Sequence, residues 1–108
     1  MKKFLVLYCA TKATLEQWNS MTQEEGQAGM DAWAQWQEAH KSELVQPGNP
    51  VGKNTRLTKE GTEATSNEVC GYSVVAAESK EAVSALLADN PHLMQTGTYL
   101  EIMELMEI

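Results

Sequence analysis

Cysteine is scarce in this chain. Its two thiols, Cys9 and Cys70, sit inside apolar runs, and neither belongs to a C-x-x-C motif or to a cysteine–histidine cluster with metal-ligand spacing. No zinc site follows, and one disulfide is the most the pair can make. The apolar run Phe4 to Ala10 behind Lys2 and Lys3 is too short for a signal peptide, so buried, reduced thiols and a cytoplasmic protein are expected. Positive charge is also thin. Eight Lys and Arg stand against fifteen Asp and Glu, a formal charge of −7. Lys53, Arg56 and Lys59 are scattered over a polar stretch and form no basic stripe able to neutralise several phosphates, which argues against nucleic acid as a partner. No apolar run approaches the ~20 residues a membrane helix needs. A glycine-rich phosphate loop, a serine nucleophile elbow and a metal-ligand run are all missing, so nucleotide hydrolysis and zinc chemistry are disfavoured and no cofactor is implied.

What is present suits one small domain. A chain of 108 residues, 43% of them apolar, can build one sheet with covering helices but not two cores. Phe4 to Cys9 reads as a central strand, apolar on both faces. Thr14-Leu-Glu-Gln17 and Thr22-Gln-Glu-Glu25 match the capping-box pattern and mark two helix starts: a short turn with Leu15, Trp18 and Met21, then the main helix. At about 100° per residue, Met30, Trp33, Trp36, His40 and Leu44 share one stripe of that helix, opposite Glu24, Asp31, Gln35, Glu38 and Ser42. Gly26 and Gly29 lie beside the stripe, where a missing side chain permits close approach to a sheet or to a ligand. Close packing is the expected reason.

Pro47-Gly-Asn-Pro50 is a turn cluster, followed by a polar stretch with one or two short strands near Asn54 to Lys59 and a mobile loop from Thr62 to Asn67. Val69 to Ala77 is the second clear strand, with Cys70, Tyr72, Val74 and Ala76 on one face and Gly71, Ser73, Val75 and Ala77 on the other. Ser79 caps a second helix carrying Val83, Leu86 and Leu87, which Asn90-Pro91 ends, and Thr98 to Glu107 is the last strand. This order predicts an α+β fold of the ferredoxin-like, split βαβ kind, an antiparallel sheet with two helices on one face. The other face then needs a cover, and a second copy of the chain supplies it in a homodimer.

Several side chains are candidates for chemistry. His40 falls in the aromatic stripe between Trp36 and Leu44. A histidine there is commonly a satisfied structural one; the functional alternative is a proton-transfer group in a pocket walled by Trp33 and Trp36. His92 follows Pro91 in a loop and is either a surface histidine or a second proton-transfer candidate, with Asp89 near enough in sequence to pair with it. Glu101 shares a strand face with Tyr99, Met103 and Leu105, so it is either an edge carboxylate or a buried acid with a raised pKa. Tyr8 and Tyr72 are core tyrosines or hydroxyl donors to a pocket.

The residues also resemble a family. Gly29-Met-Asp-Ala-Trp-Ala-Gln-Trp36, Gly71-Tyr-Ser-Val-Val-Ala-Ala-Glu-Ser79 and Pro91-His-Leu with Leu100-Glu-Ile-Met-Glu-Leu105 are similar, in register, to motifs of the YCII-related (DGPF-domain) proteins. These are small bacterial domains with a dimeric α+β barrel fold and a largely undefined role. The resemblance implies a dimeric barrel that binds a small organic molecule, as an enzyme or as a non-catalytic binding or regulatory module. The motif that names the family is replaced here by Thr62-Glu-Ala-Thr-Ser-Asn67. Asn90 stands where many relatives carry a histidine, which leaves no two-histidine metal site.

Overall fold

The computed structural model describes residues 1–107. In chain order the elements are β1 (Lys2–Ala10), α1 (Lys12–Trp18), α2 (Gln23–Ala39), β2 (Leu44–Gln46), β3 (Thr55–Thr58), β4 (Gly61–Ala64), β5 (Val69–Ala77), α3 (Lys80–Leu87), a 3-10 turn (Pro91–Met94) and β6 (Thr98–Glu104). The main sheet runs β2-β5-β1-β6 with every neighbouring pair antiparallel, which makes the fold the α+β, split βαβ one. A separate two-stranded hairpin, β3-β4, interrupts the chain before β5.

Alternation sorts β1 into two faces. Phe4, Val6 and Tyr8 are buried beneath the helices, and opposite them Val75, Ser73 and Gly71 of β5 and Ile102 and Leu100 of β6 continue the same layer. Trp36 of α2 and Val83 and Leu87 of α3 close on that layer, so both helices cover one face. Each such apolar side chain removed from water contributes about 1.5–3 kcal/mol. Among the described residues, none covers the opposite face, which carries Leu5 and Leu7 of β1 beside Tyr72 and Val74 of β5 and Glu101 and Met103 of β6.

The helix ends follow local chemistry. Thr22 caps α2 in a full capping box: its hydroxyl accepts from the Glu25 amide at 3.1 Å, and the Glu25 carboxylate accepts from the Thr22 amide at 3.2 Å. Ser79 caps α3. For α1 the cap is Thr11, not Thr14; Thr14 is buried one turn inside, its hydroxyl donating to the Thr96 carbonyl. The α2 stripe also ends sooner than its periodicity suggests. His40 is the C-cap, and Glu43 and Leu44 turn back onto the His40 carbonyl, so Leu44 starts β2 instead of extending the helix. Residues Thr62 to Ala64, expected in a loop, belong to β4, paired with β3 and tied by the Arg56–Glu63 ion pair. Every strand residue of this hairpin is exposed.

Past β2 the chain does not leave the sheet. Tyr72 donates its amide to the Asn49 carbonyl, Val51 donates to Cys70, and Pro50 bridges to Gly71. Gly48 has a φ of +80°, and a Cβ there would meet the Tyr72 carbonyl oxygen at 1.7 Å, so only glycine permits this approach. The Pro47–Val51 segment thereby becomes a wall at the end of β5.

Candidate functional site

That wall, the sheet and the N-terminal half of α2 enclose an open cavity of about 560 Å³, within the range of small-molecule sites. Tyr8 and Gly71 form its floor. Gly26, Gly29, Met30, Trp33 and Gln37 come from α2, Trp18 and Met21 from the end of α1 and the turn after it, and His92 and Gln95 from the 3-10 turn and its end. A Cβ built on Gly26 or Gly29 would meet nothing within 4 Å. These glycines therefore do not serve close packing, as the sequence suggested; their missing side chains widen the cavity.

The aromatic walls are held edge to face. Tyr8 and Trp33 meet at 4.9 Å between ring centroids with planes 87° apart, and the His92 ring packs in the same manner against Tyr8 and Trp18. The Tyr8 hydroxyl is hydrogen-bonded to the Ser73 hydroxyl at 2.7 Å, and burial pushes its pKa up, so it stays protonated.

His92 is the titratable group best set for chemistry. Asn90 caps the 3-10 turn by accepting from the His92 amide, which swings the imidazole beneath the end of β1. There it is 5% exposed, and its Nε2 lies 2.6 Å from the Cys9 carbonyl oxygen. A carbonyl only accepts, so Nε2 carries the proton and Nδ1 holds the lone pair. Among the described residues no protein group pairs with Nδ1. Burial holds the imidazole pKa below its ordinary value, partly offset by the bond to Cys9, so the ring is neutral at pH 7.

The sequence candidates thus divide. Tyr8, Trp33, Tyr72 and His92 border the cavity. Alternation sends the Tyr72 ring to the uncovered sheet face, where its hydroxyl accepts from Gln46 Nε2 at 3.4 Å. Trp36 and His40 lie outside it: their ring centroids are 4.6 Å apart with planes tilted by 41°, Trp36 Nε1 donates to Asp89 Oδ1 at 3.1 Å, and His40 Nε2 is 3.8 Å from the same oxygen. The pocket between Trp33, Trp36 and His40 is therefore a packed joint between α2 and the end of α3, and Asp89 serves it in place of pairing with His92. Glu101 is exposed on the uncovered face opposite Leu7, away from the cavity. Beside it Tyr99 donates to the Glu68 carboxylate, which pushes the phenol pKa up.

Sequence reasoning did not place Trp18, Met21, Gln37, Asn49 or Gln95 at a site. Only Trp18 and Met21 carried a signal, as the apolar residues of a helix too short to need them in the core. No group of three or more potential metal ligands occurs among the described residues, nor any helix long and apolar enough to cross a membrane. No protein-family model and no curated protein matches the sequence. Among solved structures, a 5-chloro-2-hydroxyhydroquinone dehydrochlorinase from Burkholderia phenoliruptrix, in complex with 2,5-dihydroxybenzoquinone, is similar with a TM-score of 0.55 at 16% identity, over 92% of this chain and 90% of that one. At that identity the likeness establishes the fold alone: this chain is an α+β protein with an antiparallel sheet, of the fold that the enzyme also adopts.

Proposed function

We propose that the chain binds a small, partly apolar organic molecule in the cavity between α2 and the sheet, and that His92 exchanges a proton with it. The observation that carries this is the imidazole itself: buried, neutral, fixed in one tautomer by the Cys9 carbonyl, with its basic nitrogen unpaired beside a cavity walled by Tyr8, Trp18 and Trp33. The neighbouring structure, an enzyme holding a small ring compound, supports the reading, as do the motifs resembling those of YCII-related proteins. A second copy is proposed to cover the sheet face of Leu5, Leu7, Val74 and Met103, enclosing Glu101 in a homodimer.

A second reading has its own support. No carboxylate lines the cavity among the described residues, so His92 lacks the acidic partner that many catalytic histidines have. A non-catalytic metabolite-binding module fits that arrangement. Proton NMR in deuterated water with enolisable cyclic diones separates the two. Binding with loss of the exchangeable C–H signal, abolished in His92→Gln, supports proton transfer. Binding without accelerated exchange supports the module. Failure of His92→Gln to alter exchange removes His92 from the role; glutamine keeps a donor for the Cys9 carbonyl, and circular dichroism checks the fold.

A further inference from the structure

We propose, building on that reading, that the cavity takes its ligand as an uncharged, hydroxyl-bearing aromatic ring, the hydroxyl donating to His92 Nδ1, and discriminates against the same ring bearing a carboxylate. Charged residues make up 21% of the chain, yet no Lys, Arg, Asp or Glu lines the cavity among the described residues. A carboxylate entering it leaves water without meeting a cation, a cost that buried ions repay only through pairing. The field of a protein with net charge −7 adds to that cost.

The remaining titratable residues on the walls do not change this. Burial pushes the Tyr8 phenol up, the Cys70 thiol is pushed up by burial and by Glu68, and the Tyr72 hydroxyl lies on the uncovered sheet face. His92 cannot offer a donor to an anion either. Its one proton is committed to the Cys9 carbonyl, so its other ring nitrogen is an acceptor. A ligand hydroxyl satisfies that acceptor, and a ligand with only acceptors leaves it unpaired. The walls favour a flat ring: Trp33 and Trp18 stand edge to face with Tyr8 and His92, and beside Trp33 on the same helix Gly26 and Gly29 leave space that a side chain would fill.

Three compounds test this on the unmodified protein: hydroquinone, 2,5-dihydroxybenzoate with the same hydroxyls plus a carboxylate, and 1,4-dimethoxybenzene with the ring but no donor. Quenching of tryptophan fluorescence reports binding, since Trp18 and Trp33 line the cavity. Hydroquinone is expected to bind about tenfold or more tightly than either of the others, the loss of one buried hydrogen bond being of that size. Imidazole nitrogen NMR is expected to show the His92 Nδ1 signal moving with hydroquinone while Nε2 stays. Equal or tighter binding of the benzoate overturns the charge selection while leaving a binding cavity in place. Equal binding of dimethoxybenzene, or an unmoved Nδ1 signal, overturns the role of His92 as acceptor. If none of the three binds at millimolar concentration, this inference and the proposed function fall together.

Discussion

Replacing Gly29 by alanine separates the two demands placed on α2. An interior helical glycine costs about 0.8–1.0 kcal/mol relative to alanine, because it orders more backbone freedom and buries nothing. At Gly29 the added Cβ meets no atom within 4 Å, so no clash opposes the gain. Gly29→Ala should therefore stabilise the fold by about 1 kcal/mol, a rise of roughly 4–8 °C in Tm for a domain of this size. Gly26→Ala meets the same open space and should add a similar increment. The structure offers no packing reason for two such costs in one helix. Space in the cavity is the reason left, and it predicts the opposite sign for binding: Gly29→Leu should fold normally and lose hydroquinone. Thermal melts by circular dichroism and fluorescence titration measure both quantities. A fall in Tm for Gly29→Ala would refute the open-space argument, and unchanged affinity in Gly29→Leu would refute the cavity as the binding site.

Further outcomes follow from the same geometry. The folded pKa of His92 is lowered by burial from its ordinary value near 6.5, so the unfolded chain binds more protons in the interval between the two; the stability His92 contributes is present above pH 6.5 and is lost as pH falls through the folded value. Urea midpoints taken from about pH 8 to about pH 5 should fall more steeply in the native protein than in His92→Gln, and parallel curves would exclude this linkage. Burial raises both thiols, but Cys9 is 2% exposed while Cys70 is half-buried, so iodoacetamide at neutral pH should label Cys9 far more slowly than Cys70; equal rates by mass spectrometry would contradict the packing. Light scattering should report a dimer for the native chain and a monomer for Leu7→Lys, and a native monomer at micromolar concentration would remove the proposed role of the uncovered sheet face.

The parts of the fold legible in the sequence are those where side-chain period and core burial coincide. The apolar run Phe4–Cys9 gave one central strand and the alternation in Val69–Ala77 gave the other with its two faces, because a buried face fixes register. Thr22 and Ser79 marked their helices through hydroxyls that bond first-turn amides. His40 misled for an identifiable reason: the 3.6-residue period runs on through His40 and Leu44, but the helix stops at its C-cap, and periodicity alone carries no stop signal there. The site was harder to read. Its wall at Pro47–Val51 is stitched to β5 by backbone bonds, which no side-chain pattern records. His92 owes its burial to the Asn90 cap and to a carbonyl 83 residues away in sequence, a contact only the folded chain reveals.

The β3-β4 hairpin makes no extensive contact with the other elements, and the chain leaves and rejoins the body between a pinned segment, Pro47–Val51, and the start of β5. That arrangement makes the hairpin a natural splice point. Doubling the length of a loop costs only about 0.6 kcal/mol in closure entropy, so a longer arm, a sensor peptide or a whole guest domain can replace it without touching the sheet. Because the pinned segment is also a cavity wall, any such guest would be tethered at the rim of the site. Lineages of this fold can thus acquire new recognition, and engineers new readouts, by changing the ten exposed residues Thr55 to Ala64 while the sheet and its histidine stay as they are.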